Sequence, residues 1–232
     1  MVIYIAQQMT TSQISRRRAR APEDKSARRA VLVAAAETLL REDATASLAV
    51  EKIARHAKLA KGTVYLYFRT REEVLLAVHE KQTHELFDVV ERALTSPRAD
   101  GAKVVRQGLG YLRAHPEFFP LAGNCRGMLD TNVSADAAFA FKVGVAKRLV
   151  PLGERIEALY PALARGAGAA LLVNCYALII GLWQQADPPA ILRPLMHRPE
   201  MQMFRINFEK QLAGALLDLW ESAERRGIGR KR

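Results

Sequence analysis

Leu32, Ala35, Ala36, Leu39 and Leu40 recur at three- and four-residue spacing, the stripe of an amphipathic helix that starts near Ala27. The polar run REDATAS interrupts it. Val50, Ile53, Ala54 and Ala57 then mark a short second helix, either capped by Ser47 or entered without a strong cap. Residues 58–60 leave room only for a turn before a third short helix from Lys61 to about Phe68. A fourth, long helix starts near Arg71, where Glu72 and Glu73 suit the positive end of its dipole, and it stops before Ser96-Pro97.

Beyond Pro97 helical patterns recur at about 101–114, 117–123, 133–159, 162–186 and 199–226. His115-Pro116, Tyr160-Pro161 and the run Asp187-Pro188-Pro189 separate them, because the residue before a proline is biased out of the helical region. No segment alternates with the period of a strand. The expected fold is all-α. Residues 1–25 form a flexible basic arm, 26–75 a three-helix helix-turn-helix domain, 76–226 a larger helical domain and 227–232 a basic tail.

Two short helices joined by a tight turn, the second of which enters the DNA major groove, make up a helix-turn-helix. The third helix carries GTVYLYF, three aromatic residues in seven positions of a chain with only 7% aromatics. Helical spacing divides this stretch by face. Val64 and Phe68 stand four apart and point inward with Ile53 and Leu39, whereas Tyr65 and Tyr67 fall off that stripe. A rigid phenol can donate to a phosphate or meet a base edge at little entropic cost. Lys61 and the Thr63 hydroxyl stand near the helix start, and Gly62 lets the backbone approach closely. These residues are candidates for contact with double-stranded DNA.

Charge agrees with that partner. The 232 residues carry 35 Lys+Arg against 24 Asp+Glu, a net +11, which favours a polyanion. Residues 1–75 hold 14 Lys+Arg and 8 Asp+Glu, so a third of the chain carries +6 of that surplus. Arg16, Arg17, Arg18 and Arg20 precede the first helix, placed to enter a minor groove or lie along phosphates. Half of the residues are hydrophobic, so the chain can bury a core. Cys125 and Cys175 lie among apolar neighbours without metal-ligand or disulfide spacing, and read as buried thiols of a reducing compartment. The first fifteen residues do not read as a signal peptide. The 18 residues from Gly166 to Trp183 lack formal charge, yet Asn174 and the many small residues favour a buried helix over a membrane span.

Residues 28–78 resemble the N-terminal domain of the tetracycline-repressor (TetR) family of bacterial transcriptional regulators. The matching elements are AAAETLL, then EKIARHAKLAKGTVYLYF, then REEVLLAV. The resemblance implies a cytoplasmic homodimer, operator DNA as partner, and a C-terminal domain that binds a small effector. Lys61, Thr63, Tyr65 and Tyr67 match positions that commonly touch DNA in the family, and Gly62 matches its usual small residue. Arg71 stands where the family usually has lysine. Three residues depart from the pattern: Ala44 for a common glycine, Leu48 for a frequent threonine, and Ala60 for the frequent serine that caps the third helix. Ser47 is placed to compensate at the second helix.

The resemblance places the dimer interface on the last two long helices. Ala167, Ala170, Leu171, Asn174, Leu178 and Leu182 supply small-and-large packing surface, and Phe204, Phe208, Leu212, Leu216 and Leu219 form a stripe on the final helix. Candidate lining residues for an effector pocket are Phe118, Phe119, Cys125, Met128, Phe139, Phe141, Tyr176 and Trp183. As a set they suit an apolar or aromatic ligand. Arg126 and Asp130 stand four apart and are expected to pair with each other. No nucleophile–base pair, metal-ligand spacing or glycine-rich phosphate loop is present, so no enzyme, cofactor or metal is expected. The reading is a ligand-responsive repressor. The alternatives are a ligand-independent regulator or activator, and a helical membrane-surface or protein-interaction adaptor.

Overall fold

The computed structural model describes residues 24–43 and 48–228. Among these residues all regular structure is helical. The chain divides into two units, one ending at Val78 and one beginning at His79.

The first unit contains α1 (24–42), α2 (Val50–His56), α3 (Lys61–Tyr65) and the opening turns of α4 (Arg71–Thr95). Its core is the sequence stripe: Leu32, Ala36, Ile53, Val64, Phe68 and Val74 are all buried. Leu39 is less enclosed, and Leu40 takes the buried place beside it. The Arg29 guanidinium lies over the Phe68 ring, 5.1 Å from its centroid. The N-cap of α2 is Ala49, with no side-chain cap, so the helix is entered without the strong cap weighed for Ser47. Ser47 itself lies outside the described residues, as does the arginine arm. α4 is better prepared. Thr70 Oγ1 accepts from the Glu73 N–H at 3.1 Å, and the Glu73 carboxylate accepts from the Arg69 N–H at 2.7 Å. This is a capping-box arrangement that fixes where α4 begins.

The second unit contains the rest of α4, then α5 (Gly101–Ala114), α6 (Phe118–Thr131), α7 (Ala135–Leu159), α8 (Ala167–Ala186) and α9 (Phe208–Ile228). Asp100 and Ser134 cap α5 and α7 through the Lys103 and Ala137 N–H groups. Phe118, Ile156, Leu212 and Trp220 are at the centre of the core. α8 packs on α7, α9 and α6.

Three boundaries differ from the sequence expectation. α6 runs eight residues beyond the expected stop near Gly123, because that glycine is a packing residue and not a breaker. A Cβ there would come within 2.6 Å of the Trp183 ring. α8 starts at Ala167 and not at 162, behind Gly166, whose φ of 84° needs glycine. The last helix is broken. Pro199–Phe204 is a 3-10 turn, the chain leaves helical geometry at Arg205, and Asn207 Oδ1 accepts from the Lys210 N–H at 3.0 Å to restart it as α9. Phe204 is therefore not on the α9 stripe; it is half exposed.

Candidate functional site

The turn between α2 and α3 is built by backbone hydrogen bonds. The Leu59 N–H bonds to the Ala54 carbonyl at 2.9 Å and the Lys58 N–H to the Arg55 carbonyl at 3.1 Å, a Schellman closure of α2. Such a closure needs a left-handed residue. Lys58 supplies it, at φ 55°, where glycine is usual. The chain then enters α3 at Ala60, whose φ and ψ of −69° and 146° are those of an N-cap but whose side chain offers no acceptor.

α3 turns the expected faces apart. Val64 and Phe68 are buried, while Lys61, Gly62 and Tyr65 are exposed and Thr63 and Tyr67 half-buried. Leu66 is 75% exposed as well. The helix proper ends at Tyr65, so Tyr67 rides on the following turn, held by Tyr67 N–H to Val64 carbonyl at 3.0 Å. Nothing within 4 Å would obstruct a Cβ at Gly62; the glycine keeps that point of the surface low and open. Glu51 was not apparent from sequence. It ion-pairs with Lys61, an interaction that raises the lysine pKa and lowers the carboxyl pKa, chiefly by their hydrogen bond. Lys58, Lys61, Thr63, Tyr65 and Tyr67 thus crowd one short stretch of exposed turn and helix.

The second unit encloses a cavity of about 640 Å³ between α4, α6, α7 and α8. Cys125, Phe141 and Tyr176 of the expected set line it. Phe118 lies behind the wall, fully buried, with its ring 5.4 Å from His79 and 6.4 Å from Tyr176. The other four are elsewhere. Phe119 stacks on Trp183 at 6.2 Å and meets Phe208 edge-on at 5.2 Å, a separate cluster that pins α9. Met128 is buried off the cavity, and Phe139 is 73% exposed because it lies on the outer face of α7.

Sequence reasoning missed the polar part of this wall. His79 is 1% exposed, and its Nε2 is 2.9 Å from the Tyr176 hydroxyl. Burial, reinforced by the Lys142 charge, holds the His79 pKa down to about 4, so the imidazole is neutral. Its Nδ1 is buried without a hydrogen-bond partner. Burial raises the Tyr176 and Cys125 pKa values, leaving both groups protonated at neutral pH. A histidine on the apolar face of a long helix was the available signal. It reads as core until Tyr176 is brought beside it. Neutral donors and apolar walls suit the binding of a small molecule.

Residues 32–78 match the family model described as bacterial regulatory proteins, tetR family, and residues 80–226 match tetracyclin repressor-like, C-terminal domain. No curated protein matches the chain. Among solved structures, a protein with unknown function from Rhodococcus sp. RHA1 is 20% identical over 84% of this chain and 94% of its own, with a TM-score of 0.52, which shows a common fold. A transcriptional regulator (TerR/AcrR family) from Aquifex aeolicus VF5 is 16% identical over 83% of this chain and 99% of its own, with a TM-score of 0.44. The helix-turn-helix of the first unit and the matched helical second unit lead to one conclusion: this chain belongs to the tetR family of bacterial transcriptional regulators.

Proposed function

We propose that the protein is a cytoplasmic homodimeric repressor that leaves its operator when a small, largely apolar effector fills the α4–α6–α7–α8 cavity. The observation that carries this reading is that α4 is common to both units. It opens at the Thr70–Glu73 cap, directly after Phe68, and its later turns supply His79, Thr83 and Phe87 to the cavity wall. A ligand that binds one position of α4 more tightly than another shifts the population of DNA-competent molecules. Lys61, Gly62, Thr63, Tyr65 and Tyr67 are the DNA-facing residues, with Ser47 and the arm of Arg16, Arg17, Arg18 and Arg20 as further contacts.

Dimerisation through α8 and α9 accounts for a feature that a monomer leaves unexplained. α8 has no charged residue, and Asn174 and Ala177 on it are exposed. Asn174, Ala177, Leu178, Ala215 and Leu219 line a shallow groove between the two helices, a surface suited to a second copy. α8 is also long and apolar enough to cross a membrane. Its contacts with three other helices of the same chain favour a packed helix over a membrane span.

The test is fluorescence anisotropy with duplex DNA from the region flanking the gene. Binding should be sequence-selective and weaken with salt, and Tyr65→Ala and Lys61→Ala should each weaken it. Unchanged affinity in both variants would overturn the assignment of these residues.

A further inference from the structure

We infer that the effector is an amphiphilic acid, its apolar body filling the cavity and its carboxylate held at the mouth by Lys142. This rests on the reading of the cavity as the effector site. Among the described residues, the charged side chains that line the wall are both basic, Arg126 and Lys142. Both are exposed residues, so they stand where the cavity meets solvent. Phe87, Val145, Leu149, Leu172 and Ile180 make the interior apolar.

Lys142 differs from the two arginines of α7. Arg148 pairs with Asp88 at 2.5 Å and Arg155 with Glu91 at 3.1 Å. Lys142 forms no ion pair among the described residues; its Nζ rests 5.5 Å from the Phe141 ring centroid. Its charge acts inward, because it disfavours a proton on His79 and on Cys125.

The second observation is independent of Lys142. His79 is buried, its Nδ1 has no partner, and its Nε2 faces the Tyr176 hydroxyl. With Tyr176 donating to Nε2, the imidazole carries its proton on Nδ1 and can donate it to a ligand oxygen. A carboxylate in this chamber therefore finds an ammonium and a neutral N–H donor on its wall. An amine meets the like charge of Lys142.

Isothermal titration of the full-length chain tests this with two matched probe sets: decanoate, decanol and decylamine, and naphthylacetate, naphthylethanol and naphthylethylamine. In at least one set the acid should bind about tenfold or more tighter than its alcohol, the scale of one charge-assisted hydrogen bond. The amine should be weakest. Lys142→Gln should abolish the preference for acid and leave the alcohol's affinity unchanged, and Lys142→Arg should restore the preference. Alcohol or amine binding as tightly as acid in both sets overturns the carboxylate assignment alone, as does a preference that survives Lys142→Gln. If no probe of either set binds, the effector cavity itself is refuted along with its head group.

Discussion

Lys61, the first residue of α3, is ion-paired with Glu51 in the first turn of α2. The lysine expected to meet a phosphate is thus already engaged, and DNA must displace a carboxylate to use it. Because the pairing depresses the Glu51 pKa below its ordinary 4.5, the carboxylate stays charged throughout the neutral range and the competition is always present. Both groups are exposed, so the pair adds little to stability. Its consequence is in binding.

Glu51→Gln should therefore tighten DNA binding severalfold, by freeing Lys61 and by removing a negative charge from the surface that faces phosphates. It should also steepen the salt dependence, since one more lysine displaces a counterion. Anisotropy titrations across a salt series measure both. Equal slopes for Glu51→Gln and the wild type would show that Lys61 does not reach the DNA backbone.

The two termini that flank the turn are each short of their best residue. Ala60 has N-cap geometry without an oxygen, so Ala60→Ser should stabilise the protein by about 1 kcal/mol. Lys58 at φ 55° should gain roughly 1 kcal/mol on replacement by glycine. The variants diverge on DNA. Lys58→Gly deletes a positive charge and should weaken binding, whereas Ala60→Ser should not. Urea unfolding and anisotropy together separate the effects.

Helical periodicity made most of this fold legible, and its failures have local causes. The faces of α3 were readable because Val64 and Phe68 are spaced as one stripe and their burial follows directly. The break before α9 was not, since Phe204 and Phe208 also stand four apart and the stripe runs on through it. Only the Asn207 cap betrays the restart. The cavity was half legible. Aromatic residues in a helical chain are core or wall depending on which helices diverge, so Phe141 and Phe119 look alike in sequence and end in different places. Lys142 was invisible for a different reason: exposed lysines are ordinary, and only the helices around it bring this one to the cavity wall.

α7 and α8 cross at Gly153 and Gly168. A Cβ on Gly168 would overlap the Gly153 carbonyl, and a Cβ on Gly153 would overlap the Ala169 backbone. Both obstacles are main chain and cannot rotate aside. Gly168→Ala and Gly153→Ala should each force the helices apart, costing on the order of 3 kcal/mol or more. Gly110→Ala, on α5 and meeting nothing within 4 Å, is the control and should be neutral or slightly stabilising. Thermal unfolding of the three variants gives the comparison.

His79 makes stability depend on pH in a definite direction. Its pKa in the folded protein, about 4, lies below the ordinary 6.5, so the unfolded chain takes up the proton first as the solution is acidified. The contribution is fully present above pH 6.5 and is lost as pH falls through about 4. The difference corresponds to about 3 kcal/mol across that interval. Carboxylates titrate in the lower part of the same range, so the wild type alone cannot isolate the effect. His79→Gln removes this ionisation, and the stability of the wild type relative to His79→Gln should fall by about 3 kcal/mol between pH 7 and pH 4. Urea unfolding at a series of pH values measures it. Parallel profiles for the two proteins would mean that His79 titrates in the fold as it does in water, and that its enclosure beside Tyr176 and Lys142 does not hold it neutral.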